Sequence, residues 1–226
     1  MLAFLHLNEE EAVMRWILGL LLVIVVLAGV GLLVGPGIAE SQMNPVEAHA
    51  PYVVSDKARA LQQTLNMADL HADTLLWGRN ILERGTRGHV DIPRLVEGHF
   101  AVQVFSTVTK SPKGQNYNQN SSDTDQITTL AMLSAWPQAT WNSLLQRALY
   151  QGGRLATFAK ESKGALVQLK RKADLAEVLE RRAKGETVVG GLLATEARSA
   201  ACSTPRTWPG RNSKTPTSPT RPRGTR

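Results

Sequence analysis

Nineteen consecutive residues, Trp16–Val34, carry no charged side chain, and charge does not return until Glu40. At about 1.5 Å per helical residue, such a run comes close to spanning the ~30 Å hydrocarbon core of a bilayer. A secretory signal is the alternative, but its apolar region is shorter, about 7–15 residues. Ala48-His49-Ala50 has the small-x-small look of a cleavage site, and Pro51 directly after it disfavours cutting. The run therefore predicts an uncleaved single-pass anchor over residues 16–34, within an N-terminal segment 1–39. Arg15 adjoins the span, whereas Lys57 and Arg59 stand farther from its other end. Counting Lys and Arg alone puts the N-terminus inside and the globular part on the extracytoplasmic side of the membrane.

Residues 40–60 are polar, contain Pro45 and Pro51, and read as a linker entering a helix over Ser55–Leu65. Asp91-Ile92-Pro93-Arg94-Leu95-Val96-Glu97-Gly98 predicts a short helix, capped by Asp91, with Pro93 in its first turn and Gly98 as its stop. Phe100–Phe105 reads as a buried strand, and 109–125 as a polar loop. A helical region runs from Ile127 to Ala159, with breaks expected at Pro137 and at Gly152-Gly153. Ala165–Leu169 is a short strand. Asp174-Leu175-Ala176-Glu177 reads as a capping box for a helix that buries Leu175, Val178 and Leu179 and stops at Gly185. Thr187–Thr195 is a further apolar run with β-branched residues. Strands alternating with helices predict parallel pairing and an α/β architecture.

Charge separates this part from the end of the chain. The chain carries 26 basic and 19 acidic side chains, a net of +7. Residues 198–226 hold seven basic side chains and no acid, so residues 1–197 balance at 19 against 19. The basic balance thus belongs to the tail and gives no reason to read the domain as a nucleic-acid binder. The tail has five of the eleven prolines, six threonines, four serines and no apolar periodicity. Such a composition buries too little surface to offset ordering, and predicts disorder over 198–226. The single cysteine, Cys202, lies there too, which excludes a disulfide framework or a cysteine zinc site within one chain.

His71 and Asp73 are the sharpest candidates for chemistry. Residues i and i+2 of a strand share a face, so imidazole and carboxylate can reach one metal ion, and both suit zinc. A strand end followed by a capping aspartate has the same sequence pattern. Glu196 ends the run Val188-Val189-Gly190-Gly191-Leu192-Leu193-Ala194-Thr195, and the carboxyl end of a parallel strand is where α/β barrels place catalytic groups. A loop glutamate would look alike. Trp136 and Trp141 read as packing residues, and Lys170-Arg171-Lys172 as a solvated turn.

Taken in order, Asp69-Leu70-His71-Ala72-Asp73-Thr74, His89-Val90-Asp91-Ile92-Pro93-Arg94-Leu95, Ala101-Val102-Gln103-Val104-Phe105-Ser106 and Gly191-Leu192-Leu193-Ala194-Thr195-Glu196 resemble the membrane (renal) dipeptidase family of zinc peptidases. The resemblance runs from about Ala68 to Ala197. It implies a (β/α)8 barrel with two zinc ions at its C-terminal face. His71 and Asp73 would ligate the first ion and Glu196 would bridge both, activating a water for attack on a dipeptide carbonyl. The family then supplies two histidines and a late aspartate after the bridging glutamate. Here His6, His49, His89 and His99 all precede Glu196, and no acid follows it.

The expectation is therefore a membrane anchor, a linker over 40–60, the N-terminal portion of a dipeptidase barrel over 61–197 and a disordered tail. Such a chain is a truncated zinc dipeptidase without activity of its own. Because family-like sequence stops at Ala197 with no linker before the tail, a reading-frame shift just after Glu196 is expected. The rival is a membrane-tethered, non-catalytic interaction module. The two differ in whether zinc binds through His71 and Asp73.

Overall fold

The computed structural model describes residues 9–118 and 121–196. The tail expected to be disordered, 198–226, lies outside the described residues, as does the proposed point of frame change.

The apolar run lies within helix α1, Glu9–Met43. Its apolar stretch is fully exposed, with a mean hydropathy of 3.2 over its most apolar window, so it is long and apolar enough to cross a membrane. The helix does not stop where the charge-free run does. It passes through Pro36 and continues to Met43, so residues 40–43 of the expected linker belong to it. Proline removes one helical hydrogen bond and disfavours helical geometry just before it. Tertiary contact at Glu40, which is only 3% exposed, holds the last turns in register.

Beyond it, α2 spans Asp56–Gln63 with the Ser55 hydroxyl accepting from the Ala58 N–H. Strand β1 is Met67–Ala72, α3 is Ile92–Glu97, and β2 is Phe100–Val108, three residues longer than the sequence suggested. The Asp91 cap and Gly98 stop of α3 are as expected. The helical region divides into α4 (Gln126–Leu133) and α5 (Leu144–Glu161), with Pro137 in the break between them. Helix α5 runs unbroken through Gly152-Gly153. A Cβ on Gly152 would lie 2.9 Å from Leu193 Cδ2, so this glycine permits a close helix–sheet approach and is not a stop.

Strand β3 is Leu166–Leu169, α6 is Lys172–Ala183 and β4 is Val189–Glu196. Helix α6 begins two residues before Asp174, so the expected capping box is displaced. Asp174 sits in the first turn and its Oδ2 accepts from the Lys170 and Arg171 N–H groups at 2.8 Å each. Only Val178 of the expected apolar face is buried, while Leu175 and Leu179 stay exposed.

The four strands form one parallel sheet in the order β1-β2-β4-β3, so the third and fourth strands stand in reverse of chain order. Parallel crossovers are right-handed, so a connection that doubles back must cross on the opposite face. The packing agrees. Ile92 and Leu95 of α3 and Leu155 of α5 pack on Phe105, Leu166 and Val189. Val178 of α6 packs with Leu169 and Val188, near Val102 and Val167, on the other face. That second face is only partly covered: Leu192 is exposed on it.

Candidate metal centre

The carboxyl ends of β1, β2 and β4 bring together side chains distant in sequence. His71 lies near the end of β1, and Asp73 immediately follows it, leading into a turn over Thr74–Leu76. The expectation that both residues share one regular strand face is corrected by this turn and by an irregular register between Asp69 and Ala72. The two still converge, with His71 Nε2 3.2 Å from Asp73 Oδ1. Glu196, the last residue of β4, brings Oε1 to 2.9 Å from the same nitrogen. Between them, Ser106 of β2 places its Oγ 3.4 Å from His71 Nδ1. Glu196 and Ser106 have the parity of Gly190 and Val102, which puts the group at the carboxyl end of the partly open face. Carboxyl ends of parallel strands are the usual place for ligands in α/β sheets.

Among the described residues, His71, Asp73 and Glu196 form one group whose ligand atoms all lie within 4.8 Å of one another. One imidazole and two carboxylates are three donors of types that a divalent metal ion such as zinc accepts, and three leave a fourth position open. The side chains are about half exposed, at 52%, 41% and 47%. Asp73 Oδ1 is itself shielded from water and receives no hydrogen bond, and an acceptor in that condition is what a cation satisfies. Zinc bonds of about 2.1 Å put tetrahedral ligands about 3.4 Å apart. The two separations from Nε2 are a few tenths of an ångström shorter, so the donor set fits an ion after a small outward movement.

Ser106 went unremarked in the sequence because a serine in an apolar strand carries no spacing signal. Its Oγ stands where it can accept from Nδ1–H, which would leave the Nε2 lone pair facing the carboxylates. Two clefts meet at this point. One, about 480 Å3, is lined by Leu76, Trp77, Val108, Ile127 and Leu130, with Asp73 at its edge. The other opens between Asp73, Lys110, Ser111 and Glu196. His89, within a segment that carried the resemblance, lines a third hollow with His71 and Asp73.

Trp136 and Trp141 are packing residues, as expected: Trp136 is buried against Tyr150, and the Trp141 indole donates to the Trp136 carbonyl. Comparison of the chain with protein-family models, curated proteins and solved structures finds no match.

Proposed function

We propose that this chain is a membrane-anchored, metal-binding protein of the zinc dipeptidase type, with His71, Asp73 and Glu196 holding one zinc ion. The observation that carries the reading is His71 Nε2 standing between two carboxylates delivered by strands at opposite ends of the domain sequence. The segment order that resembles the dipeptidase family supports it, and so does the position of the group at the carboxyl edge of a parallel sheet. In the barrel reading, β1, β2 and β4 are successive barrel strands and β3 is an added edge strand. Zinc bound there would supply Lewis acidity toward a peptide carbonyl and lower the pKa of a water.

The chain's own residues have separable tasks. Ser106 orients the imidazole, Asp73 and Glu196 neutralise the cation, and the apolar cleft beside Asp73 excludes water from one side. The histidines that would complete a second zinc site have no counterpart after Glu196. The group at His71 supplies donors for one metal ion, and the chain binds one there. The domain belongs on the extracytoplasmic side in this reading.

A non-catalytic, membrane-tethered module is the second reading, favoured by the fact that His71 already pairs with both carboxylates at ion-pair distance. Zinc titration calorimetry of the full chain in detergent separates the two. One zinc per chain, abolished by His71→Ala and by Glu196→Gln, is the expected result. Zinc uptake that is nil, or unchanged by both substitutions, overturns the metal reading.

A further inference from the structure

Glu40 is the one charged residue in the second half of a helix otherwise fit for lipid, and it is nearly inaccessible to water. Its carboxylate lies between two arginines from the loop that joins β1 to α3. Arg87 Nη2 donates to Oε2 at 3.2 Å, and Arg79 Nε stands 3.2 Å from Oε1, an ion-pair contact out of line for a hydrogen bond. Two guanidinium groups against one buried carboxylate leave no uncompensated negative charge in the contact.

Arg79 and the loop backbone are themselves held. Arg79 Nη1 donates to the Arg87 carbonyl at 2.6 Å, and Arg94 Nη2 donates to the Gly85 carbonyl at 2.7 Å. Asp91 Oδ2 accepts from the Gly85 N–H. Gly88, at φ +70°, passes so close to the Arg79 guanidinium that a Cβ would collide with it at 2.3 Å. These internal bonds shape the loop against which the end of α1 lies. The helix approaches it with small residues. A Cβ on Gly37 would make ordinary contact with the Arg87 guanidinium at 3.7 Å.

We infer that Glu40 is a positioning residue that docks the end of the anchor onto the domain through Arg79 and Arg87. The anchor is then no flexible tether: it ends as part of the domain. Met43 and Asn44, just beyond the docked turn, line the apolar cleft that also borders Asp73, and Asn44 lines the hollow shared with His71 and His89. Glu40 lies six helical steps beyond Val34, a rise of about 9 Å. That distance slightly exceeds the ~5–8 Å of one headgroup layer, so the docking loop rests at the bilayer surface and the clefts open beside it. The docking stands apart from the metal reading, and only its consequence for the site rests on that reading.

Distance measurement between spin labels tests it. Labels are placed at Gln42 and Glu177, both exposed, in full-length Cys202→Ser chain in phosphatidylcholine nanodiscs. A docked anchor gives one narrow distance distribution, and Glu40→Gln broadens it. Arg87→Gln, which keeps the Arg79 contact, broadens it less. A broad distribution in the unsubstituted chain overturns the docking, and an equally narrow one in Glu40→Gln overturns the role of Glu40. Zinc titration of the same samples keeps the two readings distinct. Because Glu40 touches none of the three ligands, Glu40→Gln changes zinc affinity no more than about twofold. Absent zinc binding with a narrow distribution refutes the metal reading and leaves the docking intact.

Discussion

Two charged clusters in this molecule are built on opposite principles. Arg147 of α5 is 1% exposed, and all five of its N–H groups find acceptors: the Thr140, Thr109 and Trp141 carbonyls, Asp125 Oδ2 and Thr128 Oγ1. The group at His71 is half exposed, rests on three side chains, and leaves a shielded carboxylate oxygen without a donor. A buried ion that has spent every donor holds loops together and has nothing to offer a ligand. A cluster with an acceptor to spare at a cleft edge has the opposite character. The contrast separates a charge that organises the fold from charges available to bind.

The largest effect expected is on the organising cluster. Arg147→Leu takes the cation away from Asp125, which keeps only neutral donors such as Thr128 and the Ile127 N–H, and removes the guanidinium donors of three carbonyls, so the domain should lose about 3–5 kcal/mol. Urea unfolding followed by the fluorescence of Trp136 and Trp141, which border this network, measures it. Zinc affinity just below the unfolding transition should hold, and a parallel loss of both would break the comparison. His71→Ala should do the reverse, lowering zinc affinity more than about 100-fold, beyond what losing an outer-shell partner costs, with stability almost unchanged. Ser106→Ala should lower zinc affinity about 10-fold, at the weak end for an outer-shell partner because the contact to Nδ1 is long.

The smallest effect concerns pH. Burial alone would raise the Asp125 carboxyl, but hydrogen bonds from Arg147, Thr128 and the Ile127 N–H outweigh it and hold it below its ordinary value. A depressed folded-state pKa adds stability that is present above the unfolded value and lost as pH falls through the folded one. Acid titration of stability should therefore show a decline below about pH 4 that is shallower in Asp125→Asn. An equal slope in both chains would show that another carboxylate carries the acid sensitivity.

Elements whose signals are local were legible in the sequence. Ser55 and Asp91 announce helix starts through side chains that bond to the next turn, and β2, β3 and β4 announce themselves as apolar runs, whereas β1, with Asp69 and His71 in it, is too mixed to do so. The candidate residues His71, Asp73 and Glu196 were singled out by the order of four short segments, and their convergence follows because strand ends in a parallel sheet share one edge. What escaped depends on contacts between distant segments. The extension of α1 past Pro36 needs arginines some forty residues farther on, and the continuity of α5 through two glycines needs Leu193. The place of β4 between β2 and β3 follows from pairing, on which apolar runs are silent.

That placement orders the events of synthesis. The first βαβ unit, β1-α3-β2, can close as soon as it has left the ribosome. β3 then has no neighbour to pair with, because the strand that separates it from β2 is the last of the four described strands to be made. Domains form as they emerge at about 5–20 residues per second. Through the seconds needed to make α6 and β4, β2 stands with a bare edge, and such edges invite pairing with other chains. Insertion of residues 189–196 closes the sheet from the middle. The same insertion delivers Glu196 to His71, so assembly of the ligand cluster and completion of the sheet are one event.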